Sequence, residues 1–158
     1  MMLTTDSYPL ATWRLLHTPP ADGATNMAVD EAILRAVAAG KSPPTLRLYA
    51  WSPPCLSLGW SQPVADADRE ALRAAGFDLV RRPTGGRAIL HADELTYSVI
   101  IPQDDPRVQG GVVTSYRRLS AALVRGLELL GVAHIVADRR ASETGVGSVC
   151  FEVPSDYE

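Results

Sequence analysis

The sequence predicts a mixed α+β domain, with largely antiparallel sheets and helices packed against them. Three observations carry that expectation. Residues 45–51 and 94–101 alternate with the period of a strand, whereas 26–39 and 114–130 repeat apolar residues with the period of a helix. Strand-like and helix-like stretches also interleave irregularly, several strands lying close enough in sequence to be hairpin-linked, which fits α+β better than a doubly wound parallel sheet.

Taken in order, residues 1–10 show no period and are expected to form a loose N-terminal end. In Thr12-Trp13-Arg14-Leu15-Leu16, Trp13 and Leu15 alternate with polar partners as in a strand, and Pro19-Pro20 stops it. Thr25 or Asn26 is the expected N-cap of a helix in which Val29, Ile33 and Val37 recur every four positions, with Asp30 and Glu31 placing negative charge in its first turn. Gly40 ends that helix, and Ser42-Pro43-Pro44 forbids its continuation. Next, Leu46, Leu48 and Ala50 alternate with Thr45, Arg47 and Tyr49, and Cys55-Leu56-Ser57-Leu58-Gly59 follows as another strand after Pro53-Pro54. Gln62-Pro63 turns the chain toward a short helix over 68–75, with Gly76 as its stop. Phe77-Asp78-Leu79-Val80 and Ala88-Ile89-Leu90 read as two strands joined by a hairpin-like bend at Gly85-Gly86. Residues 94–101 form a strand apolar at Leu95, Tyr97, Val99 and Ile101, ended by Pro102. Tyr116, Leu119, Leu123, Leu127 and Leu130 mark one face of a long helix that begins near Thr114 or Ser115 and closes at Gly131. Val132-Ala133-His134-Ile135-Val136 reads as a short strand, and from Arg139 to Glu158 the periodicity disappears. No repeat, low-complexity tract or linker divides the chain, so 1–158 is expected to be a single domain.

Composition narrows the function. A chain of 158 residues has room for one real core, and 46% hydrophobic with 21% charged residues is ordinary for a globular protein. A net charge of −3 argues against a dedicated nucleic-acid binder or a protein of anionic membranes. Lys41 is the only lysine, so the positive charge is nearly all arginine, which stays protonated and cannot act as a titratable base. Nothing approaches a membrane span or a signal peptide, and a cytoplasmic protein is expected. Cys55 and Cys150 are too few for a disulfide framework and match no zinc spacing, so each is expected as a free thiol and no metal site is expected.

The densest chemistry lies in Arg81-Arg82-Pro83-Thr84-Gly85-Gly86-Arg87-Ala88-Ile89-Leu90-His91. Two guanidinium groups, a hydroxyl and a glycine pair suit an anionic or acyl ligand, because glycines allow positive φ and expose backbone N–H groups. An ordinary hairpin with two solvated arginines fits this stretch equally well. Side chains alternate along a strand, so at most one of the arginines points into a pocket, and Arg82 is the favoured one. His91 suits either a base near neutral pH or a structural histidine. By spacing alone Cys150 is an inert thiol; Gly145, Gly147 and Ser148 before it make a pliable approach.

Beyond single motifs, the chain resembles the biotin/lipoate protein ligase and octanoyltransferase superfamily over almost its whole length. The resemblance is carried by Trp13-Arg14-Leu15-Leu16, by 23–34, by 45–49 with 56–62, and by Arg81 to His91, which is similar to the family's acyl-binding loop. Glu94-Leu95-Thr96-Tyr97-Ser98-Val99 and Cys150-Phe151-Glu152-Val153-Pro154-Ser155-Asp156-Tyr157-Glu158 most resemble the octanoyltransferase branch that works through a cysteine. Two departures stand out. Arg87 occupies the place of a third glycine usual in the ligases, and the chain stops at Glu158 where the family continues into a Gly-x-Lys stretch and further strands. The resemblance therefore implies an incomplete biotin/lipoate ligase-like catalytic domain, in which Lys41 does not match the position of the family's lysine.

It further implies an octanoyltransferase of lipoyl cofactor synthesis. Octanoyl-acyl carrier protein would be the donor, and a lysine of a lipoyl domain, such as the glycine-cleavage H protein or a dehydrogenase subunit, the acceptor. Cys150 is the implied nucleophile. Arg82, Thr84, Gly85, Gly86, Arg87 and His91 are the implied substrate-binding residues. Gly85 and Gly86 would offer N–H groups to the acyl oxyanion, a role in which each positioned donor is worth about 3 kcal/mol. No cofactor is implied. The alternatives are an ATP-dependent lipoate or biotin ligase, which would need ATP and Mg, and an inactive carrier-protein-binding remnant.

Overall fold

The computed structural model describes residue 8 and residues 10–132. Its elements are β1 (Arg14–His17), α1 (Gly23–Ala38), β2 (Thr45–Tyr49), β3 (Cys55–Leu58), α2 (Arg69–Ala74), β4 (Asp78–Arg81), β5 (Ile89–His91), β6 (Thr96–Ile100) and α3 (Val112–Leu129), with 3-10 turns at Val64–Asp66 and Pro106–Val108. They form two three-stranded sheets, ordered β1-β2-β6 and β4-β3-β5.

The two sheets share one plan. β1 runs parallel to β2 and β3 parallel to β4, and each of these pairs is connected through a helix, α1 in one sheet and α2 in the other. A parallel pair requires such a crossover, since a tight turn can join only antiparallel neighbours. Each sheet then gains an antiparallel third strand, β6 on β2 and β5 on β3.

This plan corrects the hairpin expected around Gly85-Gly86. β4 and β5 do not pair with each other; both pair with β3, which lies between them. Residues 82–88 therefore cross the end of β3 instead of closing a tight bend. Two inter-strand spacings amount to about 10 Å, a gap seven residues bridge easily. No two strands consecutive in the chain pair antiparallel among the described residues, so none of the expected hairpin links is present.

Helix boundaries moved for identifiable reasons. The N-cap of α1 is Asp22, whose carboxylate accepts the Thr25 N–H at 2.7 Å, so the helix starts at Gly23 and Asp30 and Glu31 fall beyond its first turn. Gly23, the first helical residue, sits against the second sheet, where a Cβ would lie 2.5 Å from the Cys55 sulfur. The N-cap of α3 is Gly111 at φ 89°, before the expected Thr114 or Ser115. The stops at Gly40, Gly76 and Gly131 stand as read, each with positive φ.

α1 contributes to both apolar clusters of the fold. Met27 packs with Tyr49, Trp51 and Cys55, flanked by Val80, while Ile33 and Val37 pack with Ile100, flanked by Leu16 and Val29. In β2 the more buried phase is Thr45, Arg47 and Tyr49, with Leu46 and Leu48 only half-buried. α3 rests on the second 3-10 turn, where the Ser115 hydroxyl donates to the Val108 carbonyl at 2.7 Å and Arg118 donates to the Gln109 carbonyl at 2.6 Å. No α3 residue is buried among the described residues. The expected strand at 132–136 and the segment from Arg139 to Glu158, Cys150 included, lie outside the described residues.

Candidate functional site

α1 and β6 enclose, with the ends of β2, β3 and β5, a cavity of about 440 Å³. This lies within the range of small-molecule sites, about 300–1,000 Å³. Met27, Leu34, Trp51, Ile89, Tyr97 and Val99 give it apolar walls, and Ser57, Arg82, Thr84 and His91 bring polar groups to one side. A larger groove of about 670 Å³ between α2 and β4 holds Arg69, Arg73 and Arg81 but neither His91 nor the glycine turn. The smaller cavity is the better candidate because convergent polar groups meet an apolar enclosure there.

His91 anchors the polar side. It is buried, its Nδ1 lies 2.5 Å from Glu94 Oε1, and its Nε2 lies 2.8 Å from the Ser57 hydroxyl. The Trp51 indole stacks on the imidazole with centroids 4.1 Å apart and planes 10° from parallel. Trp51 Nε1 donates to Thr96 Oγ1 at 2.7 Å, and Thr96 donates to the same Glu94 oxygen at 2.7 Å. Burial, and secondarily the Arg82 charge, hold the imidazole below its ordinary pKa against the opposing pull of Glu94. Both ring nitrogens of His91 are bonded to side chains, Nδ1 to a carboxylate and Nε2 to a hydroxyl.

The two arginines fold the loops around it. Arg81 Nη1 donates to the carbonyls of Gly59, Trp60 and Gln62 at 2.7, 2.9 and 2.7 Å. Arg82 Nη1 donates to the Ser57 carbonyl at 2.9 Å and to its hydroxyl at 3.2 Å, while Nη2 donates to the carbonyls of Gly85 and Arg87 at 2.7 and 2.6 Å. Arg82, the residue after β4, faces the cavity and also clamps the turn that follows it. Thr84 lines the cavity; Gly85 and Gly86 continue from it as exposed residues outside the lining. Gly86 has φ 87°, and its carbonyl lies so close over Gly59 that a Cβ there would approach it to 1.9 Å. Trp60 N–H donates to the Thr84 carbonyl at 2.9 Å, completing the seat of the turn. Arg87 contributes a carbonyl to the clamp and is half-buried.

Cys55 is wholly buried in β3, and its thiol is pushed up to about 12, first by burial and then by Asp78 and Asp22. Such a thiol supplies no thiolate near neutral pH. Cys150 lies outside the described residues.

Ser57, Glu94 and Trp51 escaped sequence reasoning. Glu94 follows His91 at i+3, and Ser57 lies two residues after Cys55 on the same strand face, but only the β3–β5 register brings serine and histidine together.

Comparison with known proteins agrees with this geometry. Residues 22–146 match the lipoyl protein ligase A/B catalytic domain. An octanoyltransferase LipM of Moorella thermoacetica is 51% identical over 153 residues, covering 95% of this chain and 56% of the relative, and one of Kyrpidia tusciae is 49% identical over 155 residues, covering 94% and 57%. The chain thus spans little more than half the length of these curated relatives. Among solved structures, the bipartite lipoate protein ligase of Thermoplasma acidophilum, studied with its E2 lipoyl domain, superimposes with a TM-score of 0.69 at 28% identity, over 82% of this chain and 49% of that one. On the strength of the matched domain and these identities, the chain belongs to the lipoyl protein ligase A/B catalytic-domain family.

Proposed function

We propose that this chain carries the acyl-binding and acyl-loading part of an octanoyltransferase in lipoyl cofactor synthesis. The observation that supports it most is 51% identity to an octanoyltransferase along nearly the whole chain. The apolar cavity beside Arg82, Thr84 and His91 gives a medium acyl chain a place to lie. The Cys150 thiol attacks the carbonyl of octanoyl-acyl carrier protein, the carrier thiol leaves, and the proton lost by Cys150 ends on the departing sulfur. Thioester exchange is nearly isoenergetic. Transfer from Cys150 to a lysine amine of a lipoyl domain then forms an amide and runs downhill, so no ATP is consumed. Backbone N–H groups of the Thr84-Gly85-Gly86 turn receive the charge that develops on the acyl oxygen. The glycine-cleavage H protein or a dehydrogenase subunit supplies the acceptor, in the cytoplasm.

The solved lipoate-protein ligase A bound with ATP, similar over 93% of this chain with a TM-score of 0.66, favours a second reading as an ATP-dependent ligase. Intact-mass spectrometry after incubation with octanoyl-acyl carrier protein separates the two. The transferase reading expects a hydroxylamine-labile octanoyl adduct without ATP on the wild type and on Cys55→Ser, and none on Cys150→Ser. Transfer that requires ATP and free acid, and survives Cys150→Ser, replaces it with the ligase.

A further inference from the structure

We propose that Ser57 and Glu94 are positioning residues for the turn over residues 84–86, acting on it through His91 and Arg82. The proposal takes its catalytic meaning from the acyl-transfer reading above, while the contacts that carry it stand apart from that reading.

For a neutral imidazole, the form that burial favours, counting protons gives the direction of each hydrogen bond. Thr96 accepts from the Trp51 indole, so its single hydroxyl proton goes to Glu94. Glu94 can only accept, which places the imidazole proton on Nδ1 of His91 and leaves Nε2 as an acceptor. The Ser57 proton must then point at Nε2, and the Ser57 oxygen turns its lone pairs toward Arg82. Arg82 in turn spends its other terminal nitrogen on the carbonyls of Gly85 and Arg87. A one-way chain thus runs from the start of β6, through β5 and β3, to the glycine turn. Removing Glu94 frees the histidine to carry its proton on Nε2, which sets two donors, imidazole and guanidinium, against one serine oxygen. The serine proton then loses its buried acceptor, and the Arg82 clamp shifts with it.

A nucleophilic role for Ser57 fits less well, although serine, histidine and glutamate stand in the order of a triad. Its side chain borders the cavity but is fully buried, and its oxygen is already engaged by two partners. That arrangement gives an incoming carbonyl carbon no open approach. It suits a strut.

Two-bond ¹H–¹⁵N correlation spectra of the 158-residue chain read this network with no substrate present. Wild type should show His91 as a single Nδ1–H tautomer near neutral pH, and Glu94→Gln should populate both tautomers. In Ser57→Ala, exchange of the Trp60 amide, bonded to the Thr84 carbonyl, should accelerate about tenfold or more, as expected for loss of a hydrogen bond to a charged group, and the Gly85 and Gly86 amide resonances should move. Ser57→Thr, which keeps the hydroxyl, should restore both. In octanoyl loading of Cys150, Ser57→Ala and Glu94→Gln should lower the maximal rate and leave half-saturation within about twofold. Unchanged tautomer, Trp60 exchange and turn resonances in both variants overturn the proposal, and so does an octanoyl ester found on Ser57 itself. Wild type that shows the predicted spectra but acquires no octanoyl group overturns the acyl-transfer reading and leaves the strut in place.

Discussion

In the β1-β2-β6 sheet the buried polar network centres on an ion pair; in the β4-β3-β5 sheet it centres on a histidine held between a carboxylate and a hydroxyl. Arg47, 1% exposed, donates to Asp30 at 2.9 Å, to the Asn26 carbonyl and side chain at 3.0 and 2.7 Å, and to Thr18 at 3.2 Å. Asp30 also receives Tyr49 at 3.1 Å and Ser98 at 2.9 Å. Burial, followed by the nearby Asp30 carboxylate, drives the Tyr49 hydroxyl pKa well upward, so it stays protonated as a donor. Every partner here lies in or beside α1, β1, β2 or β6, so the network closes on one sheet and its helix. The His91 network instead runs out through Arg82 to an exposed turn. The first ties a helix to a sheet, and the second ties a sheet to a site.

The largest expected effect follows from breaking the closed network. Arg47→Leu leaves Asp30 buried without its countercharge and should cost about 3–5 kcal/mol in urea unfolding. Adding Asp30→Leu should recover part of that loss, since apolar pairs often replace buried ion pairs well. A single mutant within 1 kcal/mol of wild type would show that the network is better hydrated than its burial indicates.

Gly59→Ala strikes the second network where it meets the turn. Its Cβ would sit 1.9 Å from the Gly86 carbonyl oxygen and 2.9 Å from the carbonyl carbon, so the backbone of the turn has to move. Overpacking of this kind costs about 1–3 kcal/mol, less than the ion-pair loss. Loading of Cys150 should fall much more than stability does, because the displaced groups are the proposed oxyanion donors. Parallel measurement of melting and loading checks that split; equal losses would make Gly59 a fold residue only.

Trp51→Phe tests a smaller part of the same network. Phenylalanine can keep an aromatic face on His91 but removes the donor to Thr96, a loss of about 1 kcal/mol for one neutral hydrogen bond. Thr96 should then reorient, and the His91 ring resonances should shift with the stack retained.

How much of this was legible in the sequence depended on range. The α2 region could be read closely, because Asp68 and Gly76 bracket it and both act within one turn of the helix. The β4–β5 relation could not, since two short apolar runs around a glycine pair look alike whether they pair with each other or flank a third strand. The same holds for β2. Arg47 reads as a solvent-facing residue until Asp30, seventeen positions earlier on a helix, is brought against it. Within the site, Arg82, Thr84 and His91 announced themselves through one compact stretch, whereas Ser57 and Trp51 join them only through the strand register and tertiary packing.

The smallest expected effect concerns pH, and it separates the two networks by charge type. His91 is held below its ordinary pKa, chiefly by burial, with Arg82 lowering it further and Glu94 opposing both. The unfolded chain therefore binds a proton at this residue at a higher pH than the folded chain does. Its contribution to stability is complete above the unfolded value, about 6.5, and is lost as pH falls through that value toward the depressed folded one. Stability should thus rise with pH across this window, and His91→Gln, which titrates nowhere in it, should flatten the slope. Removing both members of the ion pair, Arg47→Leu with Asp30→Leu, touches no histidine and should keep the His91 slope intact. Urea unfolding of wild type, His91→Gln and that double variant between about pH 5.5 and 7.5 checks this. A wild-type slope no steeper than that of His91→Gln would mean that Glu94 outweighs burial and that His91 is charged in the fold, which would reverse the proton order on which the strut depends.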